Sequence, residues 1–568
     1  MNRLKHGRGL VKVLISCLLV VLLIAGCGGN GNAGNSNSAE GNGAGKDAPK
    51  ASGTNSQNTE TADDGAFRIY DPPIEITTAI ALRDSDKLLN GDTLENNPLS
   101  RWAKDNLGVI VKYKWQMTDQ GDAMKQKIRL AMASGEELPD VLNVGDAALL
   151  NDLIDSGEIE PVGDAFDKYA TPRTKEAFEK NASVWLGVTK DGKRWALPQI
   201  SDGFVGDPVM WIRQDWLDAV GMKAPTNLDE FEQVLAAFKE KFPDKTPWSI
   251  AGKSNFSGYM GDAQFIFGQN QITIWDKDGN GGLQYGSLQP TVKQALTKLD
   301  EYYKKGYLDP DFGTYEPDKA SSQFTAGNAG IIFGPGWMGG WPLSDTMKNV
   351  DGAVVKPYPL PSGIDGTVGR IGSPLSYSGY VFRKGFDHFD AIFQYWDAML
   401  GVLLEDPDSP FANGYAEGYD YIMKDGQPDW KDAPGSSPIN YRLLSPGNQP
   451  PGMVQGDNIY QRVLDGKQDT VYERKLAEMT KNGDLSLQGK AVTLSQMEAD
   501  HRNLAVGPPT KTKAEKGDLL YTLESETFLG IVYGKESPDA FDKFVKDWKA
   551  KGGDQLTKEV NDWYKSTQ

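Results

Sequence analysis

Both cysteines of the chain, Cys17 and Cys27, fall within its first 27 residues, so whatever folds after them contains no thiol. Disulfides, zinc thiolates and a cysteine nucleophile are thereby excluded from the body, which must hold its shape by burying apolar surface alone. The surrounding residues explain the placement. Arg3, Lys5, Arg8 and Lys12 make a basic start, and Val13 to Ala25 is apolar apart from Ser16. That run has the length of a signal-peptide core and is too short to span a bilayer comfortably. Ala25 and Gly26 are small enough for a cleavage site, so residues 1–26 read as a signal peptide and the remainder as exported.

Leu23-Ile24-Ala25-Gly26-Cys27 is similar to a bacterial lipobox, and that resemblance implies a diacylglycerol on the Cys27 sulfur. Residues 27–65 follow as a run of Gly, Asn, Ser, Ala, Thr and Asp with no large apolar side chain. Such a stretch has nothing to bury and is expected to be a flexible tether between a membrane and a folded body.

Without the signal, 542 residues remain, enough for two or three domains. Four of the 60 Lys and Arg leave with it, so 56 cations face 78 carboxylates, a balance of −22 with His neutral. Such a surface repels phosphate backbones, so no nucleic acid is expected as partner, and it argues against strongly anionic sugars as well. The 14 Trp, 22 Tyr and 21 Phe suit a protein that handles neutral, ring-shaped ligands.

From Phe67 the pattern changes. Ile74–Ile80 reads as a strand, Leu99–Asn106 as a helix, Val109–Trp115 as a strand, Asp122–Ser134 as a helix and Asp140–Val144 as a strand. This alternation predicts a parallel sheet covered by helices. The clearest helix is Asn227–Phe242, capped by Thr226 or Asn227 and stopped by Pro243. Val292–Lys305 is expected to follow with Thr291 and Gln294 as a capping box, as are helices at Phe389–Leu403 and at Pro538–Lys551 behind a Ser537 cap. Glu405 to about Gly456, dense in Gly, Pro, Asp and Asn, reads as long loops around short elements.

Motifs of catalysis are scarce. No H-E-x-x-H, G-x-S-x-G or G-x-x-x-x-G-K-[ST] occurs, and His388 and His501 read as surface residues. Gly334-Pro335-Gly336-Trp337-Met338-Gly339 matches G-x-G-x-x-G, yet Pro335 and Trp337 crowd the turn and the Trp341-Pro342 pair interrupts any following helix. It reads better as a glycine-hinged loop that leaves the indoles of Trp337 and Trp341 free to stack. Asp276, Asp278 and Asn280 alternate as in the first half of a calcium loop, but Ser287 stands where the bidentate Glu belongs. A hairpin turn between Gln271–Trp275 and Leu283–Tyr285 is the favoured reading, with calcium the alternative; otherwise no cofactor is expected.

Other segments carry a resemblance: Ala133-Ser134-Gly135 with Leu138-Pro139-Asp140, Trp195-Ala196-Leu197-Pro198, Trp211-Ile212-Arg213-Gln214-Asp215-Trp216-Leu217-Asp218, Tyr302–Asp311, Phe324-Thr325-Ala326-Gly327, and Gly552-Gly553-Asp554-Gln555 with Glu559-Val560-Asn561-Asp562-Trp563-Tyr564. In this order behind a lipobox, the chain resembles the family 1 extracellular solute-binding lipoproteins of bacterial ABC importers, in the LplA-like branch. The resemblance implies a two-lobed α/β fold of the periplasmic-binding-protein type 2 class with a ligand cleft between the lobes. Expected boundaries are 67–198 with 326–385 for lobe 1, and 199–325 with 386–568 for lobe 2. It further implies a non-enzymatic, monomeric receptor anchored through Cys27 on the outer face of the cell membrane, which passes an oligosaccharide to permease subunits. A secreted polysaccharide-degrading enzyme and a sensor-linked binding lipoprotein are the rival readings. For the cleft, Trp337, Trp341, Trp211, Trp275 and Tyr377 are the expected stacking residues, and Arg213, Asp140 and Gln199 the hydroxyl partners. Trp216 and Leu217 read as core.

Overall fold

The computed structural model describes residues 68–82, 87–118, 122–180, 182–256, 259–403, 406–447, 458–481 and 485–568; the expected signal peptide, Cys27 and the tether lie outside them. Strands Ile74–Leu82 and Val109–Thr118 pair in parallel around helix Pro98–Leu107, which the sequence pattern foretold. Asn97 caps that helix, its side chain accepting from the amides of Leu99 and Ser100. Gly108 ends it at φ 66°, where a Cβ would lie 2.2 Å from the Tyr70 carbonyl oxygen. Helix Ala123–Ser134 and strand Val141–Val144 follow. The late strand Ser376–Arg383 runs antiparallel to Val141–Val144, Ile159–Glu160 and Leu197–Ile200. One core binds these strands to helix Phe389–Leu403 and to Phe411, Tyr441 and Leu444.

A second sheet has the order Val355–Tyr358, Pro208–Arg213, Ala329–Pro335, Thr246–Ser249. Every side chain of its two central strands is buried, as a sheet covered on both faces requires. Helices Leu228–Lys241, Pro290–Lys304, Lys511–Val532 and Ala540–Trp548 supply the covering core. These two cores are the two lobes of the fold.

The pairing corrects the expected lobe boundaries in two places. Ala329–Pro335 and Val355–Tyr358 add to the sheet of Pro208–Arg213, so 326–358 joins lobe 2 instead of lobe 1. Phe389–Leu403 and Leu443 pack in the first core, so 386–447 belongs with lobe 1. Outside the Ile74–Leu82 and Val109–Thr118 pair, both sheets are largely antiparallel where a parallel sheet was expected, because late strands return to them. Apolar strands look alike in sequence, and only hydrogen-bond register tells which sheet a late strand enters. Two caps also differ. Pro290 opens its helix behind Gln289 with no side-chain cap bond, Thr291 instead accepting from the Asn270 amide. The helix expected from Pro538 begins at Ala540 behind Asp539, also without such a bond. Asn227 caps Leu228–Lys241 as expected, accepting from the Glu230 amide.

Candidate functional site

Strand direction locates the cleft. The chain leaves lobe 1 after Ile200, enters lobe 2 at Pro208, and returns to lobe 1 at Ser376. Ile200 pairs with Ser376 and Pro208 with Pro335, so these strand ends all abut the crossing segments. The loops after Val141–Val144 in lobe 1 and after Ala329–Pro335 in lobe 2 therefore open on the same junction. Ligands of α/β sheets bind outside the carboxyl ends of the strands, and domain junctions are the usual pocket sites.

The lobe 1 wall is polar. A cavity of about 440 Å³ is lined by Thr78, Asn143, Gln199, Tyr380, Asn440 and Arg442 among others. The Gln199 Nε2 donates to the Ser445 carbonyl at 3.1 Å, and the Asn143 Nδ2 approaches the Gln199 Oε1 at 3.5 Å. The Ser445 amide donates to the Tyr380 hydroxyl at 2.9 Å, which fixes the floor. A second cavity of about 400 Å³ adjoins through Ile439; Tyr415, Trp430 and Lys431 line it with Lys475 from helix Val471–Lys481.

The lobe 2 wall is aromatic. Trp337 and Trp341 lie with ring planes 9° apart and centroids 6.4 Å apart, and the Tyr259 ring stands 5.9 Å from Trp337. Trp341 is 58% exposed and Tyr259 49%, unusual for rings that gain so much by burial. The glycines of this loop serve close packing more than freedom. A Cβ on Gly336 would lie 2.5 Å from Gly489 and Lys490 backbone atoms, and one on Gly339 2.4 Å from Leu485, so helix Ser486–Ser495 presses directly on the loop.

Several residues expected in the cleft are placed elsewhere. Trp211 is fully buried in the lobe 2 sheet, its Nε1 donating to the Gly334 and Pro335 carbonyls. The buried Arg213 guanidinium pairs with Asp215 at 2.6 Å and lies over Trp216, which is core as expected. Asp140 is a clamp between strands: its carboxylate accepts from the Thr77 amide and hydroxyl and pairs with Arg383 at 2.8 Å. Burial raises its pKa, but the Thr77 and Arg383 hydrogen bonds outweigh it, so the carboxyl stays below its ordinary range. Trp275 packs on Tyr285 in the lobe 2 core. Tyr377 falls in strand Ser376–Arg383, and its side chain lies outside the described residues.

The 276–281 segment is the turn of the hairpin Trp275–Lys277 with Leu283–Tyr285. Asp278 Oδ1 accepts from the Asn280 and Gly282 amides, Asp276 Oδ2 meets His501 Nδ1 at 2.9 Å, and Ser287 Oγ bonds Glu524. These hydrogen bonds are those of the hairpin turn, with Ser287 and not a bidentate Glu at the twelfth position.

At the junction itself, Arg370 is wholly buried, with its Nε 3.1 Å from Asp207 and 3.6 Å from Asp500, while Arg502 holds Asp500 at 2.6 Å. Asp207 also accepts from the Ser373 amide and hydroxyl. Burial and the neighbouring Asp207 charge push the Asp500 carboxyl well up, against the pull of Arg502 and Arg370. Asn143, Asn440, Arg442 and Tyr259 were not foreseen. Tyr259 alone had a signal, a Gly258-Tyr259-Met260-Gly261 setting like that of Trp337.

The family model for bacterial extracellular solute-binding proteins matches residues 89–401. The chain is 23% identical over 488 residues to Lipoprotein LipO of Bacillus subtilis (strain 168), covering 84% of this chain and 90% of that one. It is 24% identical over 481 residues to the polygalacturonan/rhamnogalacturonan-binding protein YtcQ of the same organism, covering 79% and 84%. Its fold matches the S. pneumoniae ABC-transporter substrate binding protein FusA in complex with kestose, with a TM-score of 0.56, 16% identity and coverage of 87% and 99%. The chain belongs to the bacterial extracellular solute-binding protein family.

Proposed function

We propose that this protein is a non-enzymatic receptor that captures an oligosaccharide between its lobes and delivers it to an ABC import permease. The reading is supported by two unlike surfaces whose strands end beside the crossing segments, a polar cavity in lobe 1 and an aromatic loop in lobe 2. Near-parallel Trp337, partly buried, and Trp341, exposed, offer flat faces for the C–H surface of sugar rings, while Asn143, Gln199, Asn440 and Arg442 offer donors and acceptors for hydroxyls. The crossing segments at 201–207 and 372–375 allow hinge closure over the ligand, which removes the rings from water. Among the described residues lining the 440 Å³ cavity there is no Asp, Glu or His to act as acid or base. The names of LipO, YtcQ and FusA support a lipoprotein, a carbohydrate ligand and an ABC transporter in turn. Cys27 carries the lipid in this reading, residues 1–26 are removed, and the body stands off the outer membrane face on the 27–65 tether. Trp337, Trp341 and Gln199 are the retained ligand contacts.

A thermal-shift screen of the purified protein against oligosaccharides, with reducing ends assayed alongside, tests this. A ligand at a hundred times its Kd stabilises the fold by about 2.7 kcal/mol. One oligosaccharide class raising the melting temperature without new reducing ends is expected; reducing ends growing with protein concentration would make the protein an enzyme. No resident calcium belongs to the reading, so calcium or EDTA should leave melting unchanged, and a rise with calcium would restore the ion to the 276–281 turn.

A further inference from the structure

Arginines among the described residues are seldom without a counterion. Of the twelve among the described residues, ten stand within 4 Å of a carboxylate, from Arg68 with Asp390 to Arg502 with Asp500. With carboxylates in such excess, pairing is what chance and Coulomb attraction both favour. Arg442 and Arg474 are the exceptions, and of the two only Arg442 lines the lobe 1 cavity. Its guanidinium lies 5.5 Å over the Tyr415 ring, and one terminal nitrogen donates to the Tyr415 hydroxyl at 3.2 Å. The stack fixes the fork without neutralising it and leaves its other donors unpaired by any described protein group. Around it the cavity presents the uncharged groups Asn143, Gln199 and Asn440 and no carboxylate among the described residues. In the adjoining cavity Lys431 and Lys475 share the lining with Asp420 and Glu478, whereas the cavity at Arg442 has no carboxylate in its lining among the described residues.

Resting on the oligosaccharide reading, we propose that Arg442 is the specificity residue for a carboxylate on the captured sugar, making the ligand an acidic, uronate-containing oligosaccharide. A planar guanidinium meets a carboxylate with two parallel, charge-assisted hydrogen bonds, a geometry that a neutral hydroxyl cannot match. The protein's net negative charge repels such a ligand at long range, but salt screens that field within about 8 Å, whereas contact at the part-buried Arg442 is screened much less. Local charge in the cavity therefore overrules the expectation drawn from the whole chain.

The test is calorimetric titration of the purified protein and its Arg442→Gln and Arg442→Lys variants with trigalacturonate, its methyl ester, and neutral fructo- and gluco-oligosaccharides. Wild type is expected to bind trigalacturonate well above the ester. Arg442→Gln should weaken only the acid, by about tenfold to a hundredfold, with Arg442→Lys in between. Melting temperatures of the unliganded variants should match wild type, which separates lost recognition from lost folding. If a neutral oligosaccharide binds and Arg442→Gln weakens acid and neutral ligands alike, the carboxylate assignment falls and the receptor reading stands. Binding to none of these sugars overturns both.

Discussion

Two carboxylates of lobe 1 and two of lobe 2 are held in opposite ways. In lobe 1 they are held charged: Asp140 by Thr77 and Arg383 against the cost of burial, and Asp92 by Arg101 and Tyr419. In lobe 2 Asp262 and Glu524 are buried without an ion-pair partner among the described residues, unlike Asp300, which pairs with Lys304 at 2.6 Å. Among the described residues Asp262 accepts from the Gln264 amide alone, and burial pushes it up to about 7. Glu524, also pushed up to about 7 by burial, accepts from Asn255, Tyr285 and Ser287. The walls follow the same division, lobe 1 presenting Arg442 and amides, lobe 2 presenting Trp337, Trp341 and Tyr259. Lobe 1 is thus equipped to read charge and hydroxyl pattern, and lobe 2 to read ring faces whatever they carry.

The largest expected effect lies where the lobes meet. Arg370→Met would leave Asp207 and Asp500 facing each other without their shared cation, and should cost about 3–5 kcal/mol in urea unfolding. A change under 1 kcal/mol would mean that the crossing segments do not depend on this cluster. The lobes' carboxylates can next be set apart by pH. Folded Asp262 and Glu524 keep their protons to about 7, whereas unfolded Asp and Glu lose theirs near 4. Folding therefore binds protons between those limits, and this contribution to stability is full below about 4 and lost as pH rises through 7. Asp140 works in reverse, its contribution present above about 4 and lost as pH falls through its depressed value. Melting temperature should fall by several degrees between pH 5.5 and 8.5, and Asp262→Asn should flatten the slope; a rise over that range would contradict the contrast.

Smaller effects distinguish the walls. Trp341→Ala should weaken every sugar ligand by about 2 kcal/mol, acidic or neutral, with an unchanged melting temperature because the ring is 58% exposed. Loss confined to one ligand class would place Trp341 outside a ring-stacking role. Gln199→Ala should cost about 1 kcal/mol in binding, since its amide is already anchored on Ser445; no change in titration would remove it from the cleft.

What the sequence revealed follows the same physical lines. Elements set by local periodicity and punctuation, such as Pro98–Leu107 with its Gly108 stop or Leu228–Lys241 with its Asn227 cap, were legible within a residue or two. The loop position of Trp337 and Trp341 was legible because an aromatic pair beside several glycines signals a ring held on a tight turn. Trp211 misled, since a Trp flanked by apolar residues in a strand is oriented by sheet pairing that no single segment reveals. Arg442 gave no signal at all: it lies in a Pro- and Gly-rich stretch, and only the folded chain shows that no described carboxylate reaches it while Asn143 and Gln199 do line its cavity. Lobe membership of 326–358 failed for a related reason, because late strands can enter either sheet without altering their composition.

The central claim, capture by lobe closure, is tested most directly by small-angle X-ray scattering of the purified protein with and without a saturating oligosaccharide identified in the binding screen. The account predicts a smaller radius of gyration in the presence of the sugar, reversed when the sugar is removed, with the sugar recovered intact. An unchanged radius at saturation, or a shortened sugar, would contradict it.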